Sequence, residues 1–252
     1  MFADLNEIEP DTDLNYNLCI LGAGAAGLSL AREFRGKRIS VALIESGGLE
    51  FEQATQNLNT GKNTGLAYFP LISTRLRYFG GTTNHWGGQS IPLDAVDFEE
   101  RPWVPDSGWP ITYDEFSRYL KSAEEICGVP CGPYRWEYWA GQAGKREIPL
   151  DARQFQDAVF RYSRPVRRFG ETFREDIRKA ENITCFLNAN ALHLITETTG
   201  ETVTRVEVGS LAGRRAHIQA RQFVVACGGI ENSRLLLLSN SVHEHGLGNQ
   251  HD

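Results

Sequence analysis

A short apolar run, Tyr16-Asn-Leu-Cys-Ile-Leu21, passes directly into Gly22-Ala-Gly-Ala-Ala-Gly27 and then into the helix-forming stretch Leu28 to Phe34. No other feature constrains the fold so tightly. A strand that ends on a glycine turn and restarts as a helix presents bare backbone N–H groups at the helix start, a setting suited to phosphate oxygens. Gly22 supplies the tight turn, Gly24 the close approach and Gly27 the contact between helix and strand. A second strand, Ile39-Ser-Val-Ala-Leu-Ile44, follows about one helix later and ends on Glu45, 23 positions after Gly22. A carboxylate placed there can accept both ribose hydroxyls of an adenine dinucleotide. The spacing predicts a Rossmann-like βαβ unit of α/β class with buried parallel strands. Its candidate cofactor-binding residues are Gly22, Gly24, Ala25, Ala26, Gly27, Glu45 and Ser46.

The pattern after Glu45 separates two kinds of dinucleotide fold. A nicotinamide domain continues as regular βαβ units, whereas here residues 46–110 are irregular and rich in Gly, Asn, Thr and Trp. Such a break favours a flavin fold, in which an inserted layer interrupts the nucleotide domain. Thr112 to Ile126 reads as an amphipathic helix with Thr112 at the cap and Glu115 three residues later. Residues 127–149 read as irregular, and Phe169 to Ala180 as a further helix. Strands follow at Ile183 to Leu187, Ala191 to Glu197, Val203 to Val208, His217 to Ala220 and Gln222 to Cys227, then a helix from Ile230 to Ser239. The expected domains are 1–110 for the βαβ unit and a flavin-contacting glycine loop, 111–182 for a segment partly of a substrate domain, and 183–252 for the return to the nucleotide fold.

Composition closes off other classes. The 252 residues carry 26 Lys plus Arg against 32 Asp plus Glu, a net charge of −6, so a nucleic-acid role has no electrostatic support. With 41% hydrophobic and 23% charged residues the chain is that of a folded globular protein. The acidic first fifteen residues are the opposite of a secretory signal, and the longest aliphatic run, Leu235 to Leu238, is far below the roughly 20 residues of a membrane helix. Five scattered cysteines, Cys19, Cys127, Cys131, Cys185 and Cys227, suit reduced buried thiols rather than a disulfide framework. A cytoplasmic location is expected. Cys127 and Cys131 have half-site spacing for a metal but lack a second pair, and no metal is expected.

A second cluster, Arg77-Tyr-Phe-Gly80-Gly81-Thr82-Thr83-Asn84-His85-Trp86-Gly87-Gly88, sets four glycines among hydroxyl, amide, imidazole and indole groups. Glycines there let backbone approach a planar ligand, with Thr82 and Asn84 to hydrogen-bond it and Trp86 to cover it. With Glu45-Ser46-Gly47-Gly48, Gly108-Trp109-Pro110 and Cys227-Gly-Gly-Ile-Glu-Asn-Ser-Arg-Leu235, the chain resembles the glucose–methanol–choline family of FAD oxidoreductases along nearly its whole length. The resemblance implies an FAD-binding Rossmann-like domain with inserted strands, the start of a substrate domain, and a missing C-terminal part. It implies oxidation of a CH–OH group of a small alcohol or sugar, an unspecified electron acceptor, and association with an electron-transfer subunit as one arrangement. It adds Gly80, Gly81, Thr82, Asn84, His85, Trp86, Gly87, Ala191 and Gly228 as cofactor-binding candidates.

The departures from the commonest family pattern are His85-Trp86 after the glycine loop and Ser233-Arg234 where Ser-Pro is usual. His85-Trp86 resembles the sugar-oxidising branch that includes pyranose 2-oxidase, fructose dehydrogenase and glucoside 3-dehydrogenase, and in the first of these the matching histidine is bonded to the flavin. The resemblance leaves two arrangements open, FAD linked covalently through His85 and FAD held without a bond while His85 hydrogen-bonds backbone in the glycine loop. The family's proton-abstracting histidine lies near the end of a longer chain, so no catalytic residue is assigned. The alternative is a non-catalytic truncated or split chain that binds a nucleotide or needs a complementary polypeptide.

Overall fold

The structure, a computed structural model, describes residues 1–130, 132–146, 151, 153–155 and 157–248. The chain forms two compact units: residues 1–85 together with the chain from 168 onward, and residues 86–167. These boundaries differ from the expected ones at 110 and 182. The reason lies at Gly170, where an added Cβ would meet the Phe79 carbonyl, so the returning chain joins the nucleotide unit as soon as it reaches the glycine loop.

The strands, in chain order, are β1 (Phe2–Asp4), β2 (Thr12–Leu21), β3 (Val41–Ile44), β4 (Gln89–Ser90), β5 (Arg161–Tyr162), β6 (Ile183–Leu187), β7 (Asn190–Thr196), β8 (Val203–Gly209) and β9 (Arg215–Val225). Seven of them make one sheet in the order β1-β6-β3-β2-β9-β8-β7. The pairs from β1 to β9 are parallel, and β8 and β7 add an antiparallel meander at the far edge. Helix α1 (Ala25–Glu33) makes the first crossover. All four residues of β3 are buried, as are Cys19, Ile20 and Leu21 of β2, because strands covered on both faces need apolar side chains at every position. Each such Ile, Leu or Val contributes roughly 1.5–3 kcal/mol.

The registers Leu21↔Ile44 and Leu21↔Val225 bring the C-terminal ends of β3, β2 and β9 level. The three segments that leave those ends, starting at Gly22, Glu45 and Ala226, therefore emerge side by side at one sheet edge. That edge is where open α/β sheets bind ligands.

Several expected elements change under tertiary constraint. β3 begins at Val41 rather than Ile39, because Ser40 and Asn17 lock each other: Ser40 N donates to Asn17 Oδ1 (2.9 Å) and Asn17 N to Ser40 Oγ (3.0 Å). The two strands expected either side of Arg221 are the single β9, held along its length by β2 after β8 has ended. β1 escapes sequence reading because three residues show no period; it pairs in parallel with β6. The 169–180 helix is two short pieces, Phe169–Thr172 and Arg174–Arg178, hinged at Phe173, whose ring packs on Phe169 and under the Arg32 guanidinium.

In the 86–167 unit β4 and β5 pair antiparallel. The expected 112–126 helix has its Thr112–Glu115 capping box but breaks into Tyr113–Ser117 and Leu120–Cys127, with Phe116 packed on Phe98. A helix at Trp136–Ala143 lies in a stretch read as irregular. Tyr134 and Trp139 pack near Arg161, which pairs with Glu124 at 2.8 Å and lies 4.9 Å from the Tyr134 ring centre. Arg167 donates to the Glu125 and Ile126 carbonyls, capping the end of the Leu120–Cys127 helix. Cys131 and residues 147–149 lie outside the described residues. Among the described residues no helix is long and apolar enough to cross a membrane, and Cys19, Cys127, Cys185 and Cys227 are free thiols.

Candidate nucleotide site

A cavity of about 960 Å³ lies wholly within the first unit, at the sheet edge where β2, β3 and β9 end. Its lining includes Gly22, Gly24, Ala25, Ala26, Glu45, Ser46, Gly81, Thr82, Ala191 and Gly228 from the sequence-derived set.

The three glycines of the first turn do different things. Gly22 has φ +100°, and a Cβ on it would stand 2.5 Å from the Ala226 carbonyl oxygen. Gly27 packs against the Gly22 carbonyl, so it holds α1 onto the strand and does not line the cavity. Gly24 alone is free: a Cβ there meets nothing within 4 Å. It also caps α1 without a side chain, so a ligand anion is the natural partner for the unpaired N–H groups of the first turn.

The second glycine cluster docks on the first. Gly80 N donates to the Ala23 carbonyl at 2.9 Å, and a Cβ on Gly81 would lie 3.0 Å from Gly24 Cα. Gly80 itself, at φ +98°, is pressed against Gly170 and stands behind the lining. Here the structure corrects part of the sequence reading. The Asn84 amide is spent on the fold, donating to Phe79 O (2.8 Å) and accepting from Gly170 N (3.2 Å). His85 is exposed at the end of the turn, its backbone N–H bonded to Thr82 O, and it is not a lining residue. Trp86 and Gly87 belong to the 86–167 unit, where Trp86 Nε1 donates to the Arg167 carbonyl at 2.9 Å.

Glu45 is fully buried, with Oε2 accepting from Ala23 N (3.0 Å) and Oε1 from Gly47 N (3.1 Å). Burial pushes its carboxyl above the usual range, against the pull of those amides and of Arg77. Cys227 also lines the cavity, where burial pushes its thiol up to about 12.

Sequence reasoning missed the arginines of the cavity. Arg75, Arg77, Arg214, Arg215 and Arg234 line the cavity against two carboxylates, Glu45 and Glu231. Arg77 reaches three segments at once: Nε to Asn59 Oδ1 (2.7 Å), Nη1 to Ser46 Oγ (3.0 Å) and Nη2 to Glu231 Oε2 (2.6 Å). Burial alone would raise the Glu231 carboxyl, but the hydrogen bond from Arg75 and the charge of Arg77 outweigh it and hold it below the usual range. Asn190 accepts from Ser46 Oγ at 2.6 Å and completes that corner. Arg77 and Arg234 lie within the two glycine motifs and the other three in none, and only the folded chain gathers them at one cavity, where Arg215 is itself paired with Glu207.

Fold and cavity together define a Rossmann-like α/β unit with a second glycine loop laid over the first. No family model matches the chain. It is similar to 6'''-hydroxyparomomycin C oxidase of Streptomyces lividus, 25% identical over 297 residues, covering 96% of this chain and 54% of that protein. Among solved structures it is similar to a formate oxidase, with TM-score 0.59 and 17% identity over 92% of this chain and 48% of the other. It is also similar to pyridoxine 4-oxidase from Mesorbium loti, with TM-score 0.58 and 19% identity over 88% of this chain and 51% of the other. The chain spans about half the length of these relatives. The two solved oxidases are of the glucose–methanol–choline type, so the chain has the fold of the N-terminal portion of those flavoproteins.

Proposed function

We propose that this chain binds FAD and forms the flavin-binding part of an oxidoreductase acting on an alcohol group. The observation that carries the reading is that glycines of three separate segments, Gly22 and Gly24, Gly81, and Gly228 and Gly229, line one cavity. Its size lies at the upper end of the ~300–1,000 Å³ typical of small-molecule and cofactor pockets. The residues fit the cofactor: Gly24 leaves the start of α1 open for a diphosphate, Glu45 lines the same cavity just after β3, and arginines outnumber glutamates in the lining five to two. Bound FAD would supply the two-electron acceptor for oxidation of an alcohol carbon. The protein's own part is to hold the diphosphate and to exclude water from the buried Glu45 corner.

The name of the curated relative, an oxidase of a hydroxyparomomycin, supports a sugar-type alcohol as substrate. A second reading, in which the chain holds the nucleotide and a complementary polypeptide completes the reaction, is supported by the 86–167 unit, which exposes Trp103, Trp109 and Tyr119. Titrating the purified chain with FAD, following quenching of flavin fluorescence and its reversal by excess ADP, tests the binding claim. Absence of both effects overturns it. Alcohol-dependent dye reduction by the purified chain alone would overturn the second reading.

A further inference from the structure

One carboxylate in the cavity wall is shared between two guanidinium groups. Glu231 Oε1 is 2.7 Å from Arg75 Nη2 and Oε2 is 2.6 Å from Arg77 Nη2, with Arg234 Nη1 at 3.6 Å. The three principal side chains are only 12–16% exposed. Arg75 and Arg77 sit two apart on an extended segment, and Glu231 stands in the first turn of the Gly229–Leu238 helix. The carboxylate therefore ties the segment leading into the second glycine loop to the helix that begins at the third glycine pair. Arg75 is further held by Nη1 on the Leu71 carbonyl (3.0 Å), and its Nε is buried without a partner. A guanidinium set by two contacts at the cost of a third is oriented by its neighbours rather than by its own best hydrogen bonding.

We infer that Glu231 is a positioning residue for anion binding, holding Arg75 and Arg77 at the cavity wall so that their positive charge faces the ligand's diphosphate. The inference rests on the dinucleotide reading of the cavity and deepens it. Simple electrostatics argues the other way: Glu231 is one of two carboxylates in the lining, and removing its charge should strengthen anion binding. The two accounts thus differ in sign. If orientation dominates, loss of the shared carboxylate weakens diphosphate binding although the cavity becomes more positive.

The test uses the full chain with two probes, ADP, which carries the diphosphate, and adenosine, which does not. Glu231→Gln keeps the shape and removes the charge; Glu231→Asp keeps the charge and removes the reach needed to bridge both arginines. Both variants are expected to bind ADP about tenfold more weakly, the low end of what loss of an orienting partner costs at metal sites, while adenosine affinity stays within about twofold. ADP affinity equal to or tighter than wild type in Glu231→Gln, or wild-type affinity in Glu231→Asp, overturns the inference. Equal losses for ADP and adenosine also overturn it, because they mark a collapsed cavity. Should Glu231→Gln fail to fold, Glu231→Asp decides alone. A wild-type chain that binds neither ADP nor FAD fails at the earlier step, the dinucleotide reading itself.

Discussion

Replacing Gly24 by leucine perturbs the proposed diphosphate position with little demand on the fold. Its backbone, at φ −85° and ψ −161°, suits any residue, and a Cβ would meet nothing within 4 Å. The stability of the ligand-free chain should therefore change by no more than ~0.5 kcal/mol. The leucine side chain would instead enter the space at the start of α1. Overfilling a fitted site costs ~1–3 kcal/mol, which is roughly a 5- to 150-fold rise in the Kd for FAD or ADP at tenfold per 1.4 kcal/mol. Gly22→Ala is the control with the opposite profile. It combines ~1–2 kcal/mol of left-handed strain with a Cβ 2.5 Å from the Ala226 oxygen, so the ligand-free melting temperature should fall by about 4–20 °C for ~2–5 kcal/mol at this chain length. Circular-dichroism melts of the ligand-free variants, paired with fluorescence titrations of FAD, separate the two effects. A Gly24→Leu variant that melts normally and binds FAD with wild-type affinity would refute the assignment of this turn to the diphosphate.

The two carboxylates of the cavity should titrate with opposite consequences. Glu45, raised by burial, contributes stability that is present below the ordinary carboxylate range and lost as pH rises through its folded value; Glu231, lowered by its arginines, contributes stability present above that range and lost as pH falls. Urea midpoints measured from about pH 3 to 8 should flatten at the upper end in Glu45→Gln and at the lower end in Glu231→Gln, and profiles parallel to wild type in both variants would contradict this. Glu45→Gln should also cost ~1–3 kcal/mol in denaturant titrations, because both carboxylate oxygens accept backbone N–H groups and one would face an amide NH2 instead. Gly80→Ala, at φ +98° and against Gly170, should cost ~2–4 kcal/mol, and hydrogen exchange should speed up at 80–85 and 169–173; unchanged exchange there would count against the docking of the two segments. Arg161→Met should destabilise the 86–167 unit by ~3–5 kcal/mol by stranding Glu124, read as faster exchange along the Leu120–Cys127 helix.

The nucleotide half of this fold was legible in the chain because its signals are local. Tyr16–Leu21, the glycine turn, the following helix and Glu45 each announce themselves within a few residues, and a buried parallel strand must be apolar at every position. Strands β6, β7 and β8 were legible for the same reason. What the sequence could not determine was which side chains share a wall. His85 and Asn84 sit in a motif that reads as ligand-binding, yet the turn they close points one outward and spends the other on Gly170. Arg77 and Glu231 stand in two motifs that were read for their glycines, Arg75 stands in neither, and Arg77 lies 154 positions before the carboxylate it holds at 2.6 Å. Only the parallel sheet, by bringing the ends of β2, β3 and β9 to one edge, decides that these charges meet. Local propensity specifies elements, whereas a charged cavity is a property of long-range register, and register is set by packing across the whole sheet.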